Sequence, residues 1–165
     1  MSAESATPLP ESAQRVARLL QDLGHEHAIV ILPQTGKTSA EAAQGLGCQV
    51  AQIAKSIIFR RRADNVPVLV IASGANRVDE AKVAGLVGEL AKADAQYVRD
   101  MTGYAIGGVC PIGHTVKPAM LIDQDLLQYD TLWAAAGHPH AVFRLSPRQL
   151  VDMTGAPVAD VALRA

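Results

Sequence analysis

Two adjacent runs of β-branched and apolar residues constrain the fold of this chain most strongly. Residues 55–61 and 66–73 are separated by a short polar connection, Arg62-Ala63-Asp64-Asn65, which is typical of a β-hairpin. We therefore expect two antiparallel strands paired with each other. Similar but shorter runs predict further strands at residues 28–32, 120–122, 131–135 and 141–145.

Helix signals lie between these strands. Ser12 and Gly24 bracket a first amphipathic helix, and Thr38 with Glu41 forms a Thr-x-x-Glu capping box at the start of a second. Later helices are predicted to begin at Asp79, Asp94 and Ser146-Pro147. Helices and strands alternate without the regular rhythm of a doubly wound sheet. The sequence therefore predicts an α+β fold with a mixed sheet flanked by helices.

The charge balance limits how this chain could bind nucleic acid. It has 165 residues, with 15 Lys plus Arg against 16 Asp plus Glu, so its formal net charge is −1. A non-specific nucleic-acid binder needs excess positive charge to displace counterions from phosphates. Any nucleic acid would have to be bound at one local site.

Composition indicates one folded domain in a reducing compartment. Hydrophobic residues make up 49% of the chain and charged residues 19%, which excludes a disordered protein. Cys48 and Cys110 form no disulfide framework, and no apolar run approaches the roughly 20 residues of a membrane span. We expect a cytoplasmic protein with a flexible segment at residues 1–11 and one domain at residues 12–165.

Lys55 is a candidate functional residue because it starts an apolar strand directly after an apolar turn. A half-buried lysine has a lowered pKa and can bind an oxyanion, polarise a carbonyl group or act as a base. Alternatively, its stem packs while its ammonium group reaches water. Spacing alone favours this second interpretation.

Residues 103–113 contain four glycines and a proline, and could place several backbone N–H groups around an anion or a carbonyl oxygen. The segment matches neither the dinucleotide fingerprint nor the phosphate-binding loop of nucleotide hydrolases. It could equally be a tight connection between strands. Cys110 within it is a poor candidate nucleophile, because Val109 and Pro111 provide neither a base nor positive charge.

Two other groups of residues have functional and structural interpretations. The pairs His25-x-His27 and His138-x-His140 could each place two ligands on one face of a strand, but a third ligand at a recognisable spacing is missing. We expect polar histidines at strand edges rather than a metal site. Arg60, Arg61 and Arg62 could contact phosphate groups, or could be a solvated strand end that prevents edge pairing.

Three stretches, taken in order, resemble the YbaK/ProX family of aminoacyl-tRNA deacylases, which is related to the editing domain of bacterial prolyl-tRNA synthetases. The first is Thr-Ser-Ala-Glu-Ala-Ala-Gln-Gly-Leu-Gly leading to Gln-Ile-Ala-Lys-Ser-Ile-Ile-Phe around Lys55. The second is the glycine-rich stretch 103–113. The third is Ala-Ala-Gly-His-Pro-His running into Leu-Ser-Pro-Arg-Gln-Leu.

The resemblance implies a fold and a set of site residues. The fold would be a mixed, mostly antiparallel, barrel-like sheet, and Lys55 would be the catalytic lysine. The family's Gly-x-x-x-Pro loop, which holds the terminal adenosine and the ester, matches Gly107 to Pro111. Some members have a functional histidine where this chain has Gly108. The implied substrate-binding residues are Ser56, Gly107, Gly108, Pro111, Ala135, Gly137 and His138.

The resemblance also implies a reaction. A trans-editing hydrolase of this kind cleaves the ester of a tRNA wrongly charged with a small amino acid, namely Ala, Ser, Thr, Cys or 2-aminobutyrate. Its partner would be the acceptor end of aminoacyl-tRNA, free or presented by an aminoacyl-tRNA synthetase. It would need no cofactor and would bind neither a membrane nor DNA, and a monomer suits this length. The alternative is a non-catalytic module that binds a tRNA end or a small ligand. A metal hydrolase that uses the histidine pairs ranks last.

Overall fold

The computed structural model describes residues 9–32 and 38–164. Its helices are α1 (Glu11–Asp22), α2 (Ser39–Leu46), α3 (Glu80–Val87), α4 (Ala95–Thr102) and α5 (Pro147–Thr154). Its strands are β1 (Ile29–Ile31), β2 (Ile53–Arg61), β3 (Pro67–Ser73), β4 (Leu90–Ala91), β5 (Ala119–Asp123), β6 (Leu132–His138), β7 (Ala141–Leu145) and β8 (Val158–Ala159). None of the helices in these ranges is long and apolar enough to cross a membrane.

The strands form one mixed sheet in the order β1-β7-β6-β2-β3-β5-β8, with β4 paired to β2. The β2–β3, β6–β7, β1–β7 and β2–β4 pairs are antiparallel, whereas β2–β6, β3–β5 and β5–β8 are parallel. The predicted α+β fold with a mixed, mostly antiparallel sheet is therefore confirmed. The described strands form an open sheet, with β1 and β8 at its two edges, and not a closed barrel.

Most element boundaries follow the local sequence signals. The hairpin pairs Ala54 with Ser73 and Arg60 with Pro67, and Thr38 and Glu41 form the predicted capping box. The predicted cap at Ser12 is wrong: the Pro10 carbonyl accepts from the Gln14 N–H at 2.9 Å, which places Ser12 inside α1. Residues 1–8 of the predicted flexible segment, and residues 33–37 and 165 of the predicted domain, lie outside the described residues.

Strand β3 holds the hairpin in place because every one of its seven residues is buried. Leu69 and Ile71 belong to a core that includes α1 and α5, whereas Val68 and Val70 face a second core beneath α3. Burying a side chain of this size stabilises the folded state by about 1.5–3 kcal/mol. Strand β2, paired with β3 from Ala54 to Arg60, is therefore a rigid base for the residues it carries.

Candidate functional site

A cavity of about 330 Å³ opens where strands β2 and β6 stop pairing. Their parallel ladder contains Ile53 with Trp133 and Ala54 with Ala134, and the next residues along the strands are Lys55 and Ala135. The volume is at the lower end of the roughly 300–1,000 Å³ of typical ligand pockets. The residues that line the cavity are Thr38, Ser39, Ala42, Ile53, Ala54, Lys55, Ser56, Gly107, Val109, Trp133, Ala134, Ala135, Pro139 and Val142.

Lys55 is half-buried in the wall of this cavity, as the third residue of β2. Its Nζ donates a hydrogen bond of 2.7 Å to the main-chain carbonyl of Asn76. Burial lowers the pKa of Lys55, the negative charge of Asp123 partly opposes this, and the positive charge of Arg77 adds to it. The structure thus favours the half-buried interpretation over a lysine whose ammonium group is simply solvated.

The glycine-rich stretch 103–113 forms one side of the cavity. Gly107 and Val109 line it, and Gly107 has a φ of +91°, in the left-handed region. Gly108 packs directly on strand β6, since a Cβ added there would lie 2.8–2.9 Å from three backbone atoms of His138. A histidine at position 108, as some relatives are expected to have, would push the stretch away from β6.

Helix α1 anchors this stretch from behind. Arg15 lies over the ring of Tyr104 at 4.6 Å and donates to the Gly113 carbonyl at 2.7 Å. The Tyr104 hydroxyl in turn donates to the Ile112 carbonyl at 2.8 Å. Burial raises the pKa of Tyr104 to about 12, so its hydroxyl remains a donor at physiological pH. These bonds fix the backbone next to the cavity.

The structure brings only some of the predicted substrate-binding residues to the cavity. Ser56, Gly107 and Ala135 line it beside Lys55, and the Ser56 hydroxyl is buried with no hydrogen-bond partner among the described residues. Gly108, Pro111, Gly137 and His138 are not among the lining residues.

Gly137 and His138 support the wall from outside it. Strand β6 is irregular between Ala135 and His138, where its register with β7 shifts. Gly137 has a φ of +89° and packs against α1, and His138 Nδ1 accepts from the His140 N–H at 3.1 Å. Pro111 lies in a separate depression beside His114. Pro139, which lines the cavity, was missed because its place depends on this bulge.

The arginine cluster lies away from the cavity. Arg61 forms two hydrogen bonds with Asp64, of 2.9 and 2.8 Å, and Arg62 pairs with Glu89 at 3.2 Å. Arg60 is five residues along the strand from Lys55, or about 17 Å at the usual rise of a strand. None of the three arginines lines the cavity. Their predicted phosphate contacts would therefore lie outside the immediate site.

The histidine pairs have other partners. His25 donates to the Arg144 carbonyl at 2.8 Å, and His27 accepts from the Arg144 guanidinium at 3.1 Å. Across residues 9–32 and 38–164, no group of three or more His, Cys, Asp or Glu side chains is close enough to hold a metal ion. His25 and His27 lie in the connection between α1 and β1, whereas His138 ends β6 and His140 lies in the turn before β7.

Cys110 is fully buried, and burial raises the pKa of its thiol to about 12. Burial also raises the pKa of Cys48, but this residue is only partly buried. We expect the reagent DTNB at about pH 8 to modify Cys48 in the native protein and to leave Cys110 intact, because the reagent must reach the sulfur and the thiolate is the reactive form. A Cys48→Ser variant should react only after unfolding in guanidinium chloride. Rapid native reaction of that variant would contradict the assignment.

Several lining residues carry signals that sequence reasoning did not connect with the site. Thr38 and Ser39 were predicted at a helix start, but nothing local shows that this start faces Lys55. Trp133 also lines the cavity, through its pairing with Ile53. Asn76 has no sequence signal at all, because it contacts Lys55 through a main-chain carbonyl.

The residues that line this cavity lie within a segment of the chain that matches a known protein family. Residues 33–153 match the model of the aminoacyl-tRNA editing domain. The chain belongs to this family. The resemblance seen in its sequence is thereby confirmed, and the family includes aminoacyl-tRNA deacylases.

Individual relatives of this editing domain agree with that assignment. It is 30% identical to the uncharacterized protein YwhH of Bacillus subtilis over 78% of this chain and 82% of that protein. It is 35% identical to proline--tRNA ligase of Limosilactobacillus fermentum over 54% of this chain but only 16% of the ligase. It is 25% identical to EbsC of Enterococcus faecalis, a candidate Cys-tRNA(Pro)/Cys-tRNA(Cys) deacylase, over 76% of this chain and 78% of EbsC.

Solved structures show the same fold. A candidate trans-editing enzyme for prolyl tRNA synthetase superposes with a TM-score of 0.89 at 42% identity, covering 95% of this chain and all of that one. The hypothetical protein APE2540 superposes with a TM-score of 0.81 at 30% identity, covering 90% and 99% of the two chains.

Proposed function

We propose that this editing domain acts in trans to hydrolyse the ester that joins a wrongly attached small amino acid to the 3′ end of a tRNA. The observation that carries the proposal is the half-buried Lys55 amine in the wall of a cavity that Gly107 and Val109 of the glycine-rich stretch also line. The candidate amino acids are Ala, Ser, Thr, Cys and 2-aminobutyrate. The tRNA acceptor end is the proposed partner, alone or presented by a synthetase.

The site offers what ester hydrolysis requires. A water oxygen attacks the ester carbonyl carbon, and the carbonyl oxygen becomes an oxyanion in the tetrahedral intermediate. The bond to the ribose oxygen then breaks, that oxygen becomes the tRNA hydroxyl by taking up the proton that the attacking water gives up, and the free amino acid leaves. The Lys55 ammonium uses one N–H on Asn76 and keeps two for the ester or the oxyanion. Fixed donors of this kind lower the barrier because they need no reorganisation.

The small volume of the cavity, about 330 Å³, favours a small amino acid. Ala42, Ala134 and Ala135 line the cavity together with Val109 and Val142. A larger aminoacyl group would have to displace main chain at Ala134 and Ala135, which β7 holds by pairing. Steric exclusion of this kind discriminates more strongly than the roughly 1–3 kcal/mol per methylene group of an open pocket.

Deacylation of a panel of preformed aminoacyl-tRNAs tests the proposal. We expect turnover of at least one tRNA charged with Ala, Ser, Thr, Cys or 2-aminobutyrate, and rates at least about tenfold lower for Leu and Phe on the same tRNA. The rate without protein is subtracted as the control. Lack of turnover across the small amino acids would overturn the proposal.

One observation favours the alternative of a non-catalytic binding module: the Lys55 amine already has a partner in the Asn76 carbonyl. A carbonyl leaves the charge of an ammonium group intact and occupies one of its three donors. Saturable tRNA binding without ester cleavage would identify such a module, and multiple turnovers would exclude it.

A further inference from the structure

A fully buried carboxylate lies behind the wall that carries Lys55. Asp123, at the end of β5, is 0% exposed. It accepts hydrogen bonds from the Ser73 N–H at 3.0 Å, from the Asn76 side-chain amide at 2.9 Å and from the Asp125 N–H at 2.9 Å. All three are neutral donors. The carboxylate therefore lacks a directly bonded cation among the described residues, and its charge acts on groups further away.

Asn76 connects this carboxylate to Lys55. Its side-chain amide donates to Asp123 at 2.9 Å and to Asp125 at 2.7 Å, while its main-chain carbonyl accepts from Lys55 Nζ at 2.7 Å. One residue thus bonds the buried acid on one side and the lysine on the other.

The turn that carries Asn76 has little freedom to move. The Gly74 N–H donates to the Ile53 carbonyl at 2.7 Å, and the Ser73 hydroxyl donates to the Ala51 carbonyl at 2.8 Å. A Cβ added at Gly74 would lie 2.5 Å from the Val50 carbonyl oxygen, so this approach requires glycine. The carbonyl that receives Lys55 is consequently fixed in place.

From this geometry we infer that Asn76 and Asp123 are positioning residues for Lys55: Asn76 fixes the amine at the cavity wall, and the Asp123 carboxylate, bonded to the other side of Asn76, favours the charged form of the amine. The catalytic consequence depends on the proposed function, but the effect on the amine itself does not.

The charges around Lys55 act in opposite directions. Burial lowers the pKa of Lys55, Asp123 raises it, and Arg77 lowers it. Asp125 is already paired with Arg164, at 3.0 and 3.2 Å. Asp123 and Arg77 are therefore the two groups whose removal should move the titration of Lys55, with opposite signs.

An NMR titration of ¹³Cε-labelled lysines tests this inference, with Lys55→Met identifying the signal. We expect Asp123→Asn to lower the midpoint of Lys55 by about half a pH unit or more, and Arg77→Gln, a change at an exposed residue, to raise it. The alkaline limb of the deacylation profile should follow each midpoint. An unchanged midpoint in Asp123→Asn, or shifts of the same sign, would overturn the inference.

A second variant covers the case in which Asp123→Asn does not fold. Asn76→Ala keeps the main-chain carbonyl but removes the amide link to Asp123, so we expect kcat to fall about tenfold with little change in KM. An unchanged kcat would overturn the positioning role. The wild type could cleave no ester while the Lys55 midpoint still falls in Asp123→Asn and rises in Arg77→Gln. In that case the proposed function fails and the electrostatic role of Asp123 stands.

Discussion

Replacing Lys55 with methionine is expected to reduce deacylation at least about 100-fold while changing the free energy of unfolding by less than about 1 kcal/mol. The rate falls because the amine that faces the ester is lost. Stability changes little because two effects oppose each other. Methionine removes a half-buried charge, which favours folding, and leaves the Asn76 carbonyl without its donor, which disfavours it.

The sign of the pH dependence follows from the lowered pKa. The unfolded chain holds the Lys55 proton more tightly than the folded chain, so Lys55 contributes increasing stability as pH rises from its folded pKa to its unfolded pKa. The methionine variant should lack this contribution. Single-turnover deacylation and urea unfolding at about pH 7 and about pH 10 measure both effects. Lys92→Met, at an exposed lysine, is the control. Wild-type activity in Lys55→Met would refute the catalytic role.

Gly108→Ala is expected to lose both activity and stability. The added Cβ would meet three His138 backbone atoms at 2.8–2.9 Å. None of these atoms belongs to a flexible side chain that could move aside. Overpacking of this kind costs about 1–3 kcal/mol. Because Gly107 and Val109 line the cavity, displacement of this backbone should also lower the deacylation rate at least about tenfold.

Gly85→Ala is the matched control for this substitution. Gly85 lies inside helix α3 with nothing within 4 Å of an added Cβ, so alanine should stabilise the protein by about 0.5–1 kcal/mol. Urea unfolding of the two variants should therefore give free-energy changes of opposite sign. A Gly108→Ala variant as stable and as active as the wild type would show that the stretch does not depend on its contact with β6.

Local signals in the sequence predict much of this fold. The hairpin of β2 and β3, the capping box at Thr38 and the Ser146-Pro147 helix start each depend on residues close together in the chain, and each is present. Ser12 was misplaced because both Pro10 and Ser12 are residue types found at helix starts. The hydrogen bond from the Gln14 N–H to the Pro10 carbonyl shows that the helix begins after Pro10.

The cavity could not be predicted in this way. It depends on β6 meeting β2 across about 80 residues of chain, and on that pairing ending at Ala54, just before Lys55. Likewise, the sequence suggests that the arginine cluster carries unpaired positive charge, because Glu89, which pairs with Arg62, is distant from it in the chain. Family resemblance identified Lys55, but its bond to Asn76 follows from the path of the backbone and leaves no trace in residue type.

The edge of β2 that faces away from β3 is paired at both of its ends and not between them. Strand β6 pairs with Ile53 and Ala54, and strand β4 pairs with Arg60 and Arg61. None of the described strands pairs with residues 55–59 on that side. An interruption inside a sheet thus creates the opening. A substitution that extended the ladder would add hydrogen bonds and fill the opening, so in this fold a more regular sheet would be a less useful one.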